Sequence, residues 1–216
     1  MVTISHIRLT RPVAIVATLA LAVLLFAVVP LAHGTTQSPA SVLPSVSAAQ
    51  AIAQIEAEDG VLRFDVAEDG SRFNWSGDPE LRDGMPAGST PYVTQGYIYP
   101  EGTLTDTNVV LEDGAPEFPD KVLGQWSCWG WRLAPSAHVD TAPWLTTHLL
   151  NFGSDWGEAT VVSEGYSIDD LDVALERAIV GGTGAYTGAS GVQLETNLGF
   201  NASRGGNFRF EVRLDQ

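Results

Sequence analysis

The chain has 216 residues, 44% of them hydrophobic, with 26 acidic against 11 basic side chains and a formal charge of −15. So acidic a surface repels nucleic acid and anionic membranes, which excludes the electrostatic footprint of a nucleic-acid-binding protein. A single cysteine, Cys128, excludes an intramolecular disulfide, and a domain of this size buries enough core to do without one.

His6, Arg8 and Arg11 form a weakly basic start, and Pro12–Ala32 is then free of charge and rich in Ala, Val and Leu. Small residues follow at Ala32-His33-Gly34. This is the pattern of a secretory signal peptide. An uncleaved membrane anchor is the alternative, because the apolar run approaches the roughly 20 residues that span a bilayer. Residues 1–34 are therefore expected to be a signal peptide or anchor, 35–50 a flexible Ser/Pro/Ala-rich linker, and 51–216 the folded domain. No acid precedes Glu56, so nine basic residues face all 26 acids beyond Arg11. A secreted or extracytoplasmic domain is expected, held at a membrane only if the first segment is retained.

Along the domain, Ser47–Glu56 is Ala-rich and reads as a short helix, with a first strand as the alternative. Val61–Ala67 alternates Leu62, Phe64 and Val66 with polar residues, as a half-buried strand does. Glu68–Ser71 is a turn and Phe73–Ser89 a long loop dense in Gly, Pro and Asp. Strands are then expected over 92–99, 122–133, 144–152, 158–166, 172–180, 190–200 and 207–214, with Glu101–Asp120 a loop and Gly205-Gly206 a two-residue hairpin signal. No long amphipathic helix is available to cover a sheet. Eight strands with short connections and no helical cover do best as an all-β, eight-stranded antiparallel closed barrel, which removes sheet edges. Such a barrel is filled by side chains or holds one small ligand.

The stretch Val180-Gly-Gly-Thr-Gly-Ala-Tyr-Thr-Gly-Ala-Ser-Gly191 joins two of these strands. It is not a dinucleotide fingerprint: Gly188 comes one residue late and a strand, not a helix, follows. A structural corner is expected. This corner resembles the one shared by dirigent proteins and allene oxide cyclases. The context matches too, with Tyr92-Val-Thr-Gln-Gly-Tyr-Ile-Tyr99, Gly124-x-Trp-x-Cys128, Leu198-Gly-Phe-Asn201 and Asn207-Phe-Arg-Phe210. The resemblance covers about Pro91 to Gln216. It implies an eight-stranded antiparallel barrel, often trimeric, around a mostly apolar pocket. The activity it implies is steering the cyclisation or stereoselective coupling of a small hydrophobic molecule, as a cofactor-free isomerase or cyclase. A non-catalytic exported barrel with a structural or surface-binding role is the alternative. The corner is scaffold and transfers no catalytic residue.

Metal binding has no support, because His6, His33, His138 and His148 show no ligand spacing. Ser136, His138 and Asp140 lie two apart in a loop and build no triad. Large flat side chains suit an apolar pocket, so the candidate ligand-binding residues are Tyr97 and Tyr99 on one face of a strand and Trp126 and Cys128 on one face of another. Glu158, Thr160, Val162, Glu164 and Tyr166 share a strand face. If it points inward, Glu164 is a desolvated acid suited to proton transfer; if outward, it is a surface acid. Arg177, between Leu175 and Ile179, is the candidate anchor for a carboxylate or oxyanion. Glu164 and Arg177 are the candidate catalytic residues. The expected partner is a small hydrophobic molecule, and no cofactor is implied.

Overall fold

The computed structural model describes residues 44–57, 59–77, 81–82, 85–86, 90–104, 109–133 and 143–215. The expected signal segment, most of the linker, and Ser136, His138 and Asp140 lie outside the described residues. A helix α1 (Ala48–Ile55) leads into β1 (Leu62–Glu68). Three two-residue strands follow, β2 (Asn74–Trp75), β3 (Leu81–Arg82) and β4 (Met85–Pro86), where a loop was expected. Then come β5 (Thr90–Pro100), β6 (Gly124–Arg132), β7 (Trp144–Phe152), β8 (Ala159–Ser167), β9 (Ala174–Gly184), β10 (Gly191–Phe200) and β11 (Gly206–Leu214).

β5 to β11 pair in chain order, each antiparallel to the next, and β1 pairs antiparallel with both β11 and β5. The result is a closed up-and-down barrel of eight long strands, as the alternation required. The strands run alternately up and down, so one barrel end gathers α1 and the β7–β8 and β9–β10 connections. The other gathers the end of β1, the start of β5 and the β8–β9 and β10–β11 connections.

The first end is shut. Ser47 and Gln50 form a capping box, each side chain meeting the other's backbone N–H. α1 lays Ala48, Ala51 and Ile55 on the barrel opening. Residues 47–50 of the expected linker are thus the cap and first turn of this helix. Gly153, at φ +79°, lets the β7–β8 turn lie against Ala48. Beneath the helix Phe64 meets Phe152 and Phe210 edge-on, with centroids 5.4 and 5.6 Å apart. The glycine corner closes the same end. β9 continues through Gly181 and Gly182 to Gly184, four residues beyond the expected Val180. Gly184 has φ +57°, and a Cβ there would strike the carbonyl oxygen of Glu158. Tyr186, carried by the corner, packs against Phe152.

One facing and one turn differ from what the sequence pattern suggests. β10 is inverted: Gln193, Glu195 and Asn197 are buried inside, while Val192, Leu194 and Leu198 lie half-buried on the outside. Its register with β11 sets this, because Gln193, Glu195 and Asn197 pair with Val212, Phe210 and Phe208. On β11, Gly206 is already in the strand, and the hairpin turn lies at Asn201–Gly205 instead of at Gly205-Gly206.

Candidate functional site

The second barrel end opens into a cavity of about 310 Å³, at the small end of the range for ligand sites. β5 supplies Tyr92 and Thr94, β6 Trp126 and Cys128, β7 Trp144 and His148, β10 Glu195 and Asn197, and β11 Phe208. Glu68, Phe73, Ser167, Ile168, Asp169, Phe200, Arg204 and Gly206 complete the wall and rim. Phe73 stacks on Tyr92 at 5.1 Å, and Tyr92 meets Trp144 edge-on at 5.0 Å. The wall is therefore predominantly aromatic.

Glu195 is the central polar group, 4% exposed. Its Oε2 lies 3.5 Å from Arg177 Nη1 and 3.6 Å from His148 Nδ1, yet has no hydrogen-bond partner among the described residues. Burial pushes its carboxyl above the usual range, with Arg177 and a hydrogen bond from Ser167 pulling the other way. His148 is held well below its ordinary value by burial first and by Arg177 second, so its imidazole is neutral. Its ring stacks on Phe210 and meets Trp126 edge-on. Trp126 Nε1 is a second buried polar atom without a hydrogen-bond partner among the described residues.

Glu68 plays a different part. It accepts hydrogen bonds from Thr94 Oγ1 at 2.6 Å and from the Gly206 N–H at 2.7 Å, tying β1 to β5 and β11. Burial raises this carboxyl too. Asn201 Nδ2 donates to the Glu68 carbonyl at 2.8 Å, so the hairpin turn is pinned to the same seam.

Of the expected site residues, Trp126 and Cys128 line the cavity. The Cys128 thiol is buried 3.3 Å from the Tyr92 hydroxyl, and burial raises its pKa far above the ordinary thiol value, so it is no thiolate nucleophile. Three placements are corrected. Tyr97 and Tyr99 point away from the barrel interior, because the inward residues of β5 are Tyr92, Thr94 and Ile98. A loop covers their face, and their hydroxyls donate to the carbonyls of Gly114 and Val109. Glu164 is exposed on the outer wall beside Thr147. Arg177 is interior, as its strand pattern allowed, but it does not line the cavity. Its guanidinium donates to the carbonyls of Tyr166 and Thr146 and to the hydroxyls of Ser167 and Ser163. It positions Glu195 and stitches β7, β8 and β9 together. The acid that faces Arg177 is Glu195, which reading the chain residue by residue missed.

Among the described residues, no group of three or more His, Cys, Asp or Glu side chains could hold a metal ion. No protein-family model and no curated protein matches the chain. Among solved structures it is similar to a pterocarpan synthase dirigent protein, at 16% identity over 70% of this chain and 91% of that one, with a TM-score of 0.49. It is also similar to the Diels Alderase AbmU from Streptomyces koyangensis, at 10% identity over 77% and 72%, TM-score 0.47. A pyocyanin demethylase matches at 13% identity over 72% and 99%, TM-score 0.46.

Proposed function

We propose that the open end of the barrel binds one small, mostly apolar molecule and that Glu195 acts on it as a proton donor, steering an isomerisation or cyclisation. The observation that carries this reading is a buried carboxyl at the base of an aromatic cavity, whose Oε2 accepts no hydrogen bond among the described residues. Burial raises its pKa, with Arg177 and Ser167 opposing, and so favours the protonated form, the form needed to give a proton. The proton passes from Glu195 to an oxygen or unsaturated carbon of the bound molecule. Arg177, 3.5 Å away, steadies the carboxylate that forms. Loss of a proton from a neighbouring carbon of the rearranged molecule restores the acid, so the net reaction needs no co-reactant. The aromatic walls supply confinement: they hold one conformer of a flexible substrate and keep water from the reacting centre.

The test is a titration of phenolic and unsaturated fatty-acid ligands followed by tryptophan fluorescence. Saturable quenching is expected, weakened in Trp126→Ala. Glu195→Gln should bind as the parent does and convert nothing, since the amide keeps the shape and does not donate an acidic proton. Absence of saturable quenching across the panel would overturn the reading and leave a non-catalytic barrel.

A further inference from the structure

The polar groups around the cavity fix which group a ligand must bring, an inference that rests on reading the cavity as a ligand site. Most of them are already served. Glu68 Oε1 accepts from Thr94 Oγ1, and its Oε2 from the Gly206 N–H. Asn197 accepts from the Gly199 N–H and donates to the Asp169 carbonyl, while Asp169 Oδ1 takes the Trp144 indole N–H. Ser167 Oγ meets Arg177 Nη1 and Thr146 Oγ1. Glu195 Oε2 accepts no hydrogen bond among the described residues, but it is buried and faces Arg177 at 3.5 Å, so it needs no ligand group to answer it.

Tyr92 is served poorly. Phe73 stacks on its ring and Trp144 meets it edge-on, so the ring is fixed from two sides. Its hydroxyl lies 3.3 Å from Cys128 Sγ, and both residues line the cavity. A thiol is a weak donor and its sulfur a weak acceptor, so the phenol O–H is held below full strength. Burial first and Cys128 second push this phenol far above its ordinary pKa, which keeps it an O–H donor at any pH near neutral. The Trp126 N–H, a donor without a hydrogen-bond partner among the described residues, lies beneath the surface of the same wall. The spare capacity of the lining is thus for donating. A ligand oxygen would replace a weak O–H···S contact with a stronger O–H···O bond. His148 is neutral and the Arg177 guanidinium is committed to Thr146, Tyr166 and Ser167, so no cation inside the barrel is turned to an anionic ligand.

We infer that the cavity selects a neutral, conjugated carbonyl compound, its oxygen taking the Tyr92 O–H in place of Cys128 and its apolar body lying along Trp126, Trp144 and Phe208. An O–H aimed at a carbonyl oxygen stabilises the negative charge that gathers there as the conjugated bonds rearrange. Tyr92 therefore both chooses the ligand and favours its rearrangement. This seat holds in either protonation state of Glu195.

Three probes of similar size isolate the oxygen: 2-acetylnaphthalene, its oxygen-free isostere 2-isopropenylnaphthalene, and 2-naphthoate. Each is titrated against the full chain near neutral pH by calorimetry. The ketone is expected to bind about three- to tenfold tighter than the isostere, with 2-naphthoate the weakest. Tyr92→Phe, which keeps the ring and removes the hydroxyl, should abolish that preference and leave the isostere within about twofold of its parent affinity. Cys128→Ala, which frees the hydroxyl, should keep or raise the ratio of ketone to isostere. Infrared spectroscopy of the ketone bound to the parent chain should show its carbonyl stretch below the value in hydrocarbon solvent, a readout that stands if Tyr92→Phe fails to fold. Equal affinity of ketone and isostere, an unmoved carbonyl stretch, or tighter binding of 2-naphthoate overturns the inference and leaves the cavity reading standing. So does a ketone preference that survives in folded Tyr92→Phe. Saturable binding by none of the three overturns both.

Discussion

The two ends of this barrel are built from the same strands and hold opposite contents. At the helix-capped end Phe64, Phe152, Leu150, Phe210 and Val161 interdigitate with no exposed surface, and α1 seals them. At the open end the same strands turn Glu68, His148 and Glu195 inward, and the Trp126 N–H has no hydrogen-bond partner among the described residues. Burying polar groups costs stability unless each is partnered. The open end carries that cost, and the closed end offsets it with close packing. Stability and chemistry are thus separated along each strand, a few residues apart.

The sharpest way to break this division is to cut into the closed end. Phe152→Ala should cost about 3–5 kcal/mol in denaturant unfolding, yet leave ligand affinity unchanged wherever the variant stays folded; a parallel loss of affinity would show the ends are coupled. Gly184→Val should cost about 1–3 kcal/mol through a strained left-handed backbone, with more from the contact with Glu158. Thermal unfolding measures it, and an unchanged midpoint would remove the corner from the scaffold. At the open end Trp126→Ala should weaken a bound ligand by about 1–3 kcal/mol, read by titration.

Smaller still is a pH effect. The Glu195 carboxyl is raised in the folded state, so between the ordinary glutamate value and the raised one the folded chain holds more protons than the unfolded chain. Its contribution to stability is present at acid pH and is lost as pH rises through that window. Glu68 has the same sign. His148 has the opposite sign: lowered in the fold, it withdraws stability as pH falls below its ordinary value. In urea titrations Glu195→Gln should flatten the loss toward neutral pH and leave the acid limb unaltered. An unchanged profile would mean that Glu195 is ionised throughout. The smallest expected effect is deletion of residues 1–43, which should move the thermal midpoint by a few degrees at most, because α1 and its cap remain.

Most of the barrel was legible because its strands alternate and its turns carry glycine. The seven strands from β5 on, with β1, fall within a few residues of their expected bounds, and the largest difference is β9. There the paired glycines read as a stop, whereas the second of them, Gly182, lets the strand press on Thr160 and Tyr186. The site was less legible, for three local reasons. β5 is apolar on both faces, since the covering loop buries Tyr97 and Tyr99 outside the barrel, so no alternation marks which tyrosines face in. β8 carries a register shift against β9 at Val162/Ser163, and both of its faces mix small and polar residues, leaving the direction of Glu164 undecided. β10 reads as Val192, Leu194 and Leu198 against Gln193, Glu195 and Asn197, and hydrophobicity points the wrong set inward. The usable signal lay on the neighbouring strand: Phe208, Phe210 and Val212 on β11 are unambiguous. Carrying their facing across a correctly placed turn at Asn201–Gly205 would have brought Glu195 inside.

The seam where β1 meets β11 has a consequence in time. Every other neighbouring pair of long strands is consecutive among the long strands of the chain, so those contacts form by a more local search. Asp65 and Arg209, 144 positions apart, join across the last gap. A contact between such distant segments is entropically late and slow to form. Until it does, β1 and β11 are bare edges able to pair with another chain, and the wall that holds Glu68 against Gly206 does not exist. Ligand added during refolding should therefore bind only in the slowest phase, making the cavity a reporter of ring closure.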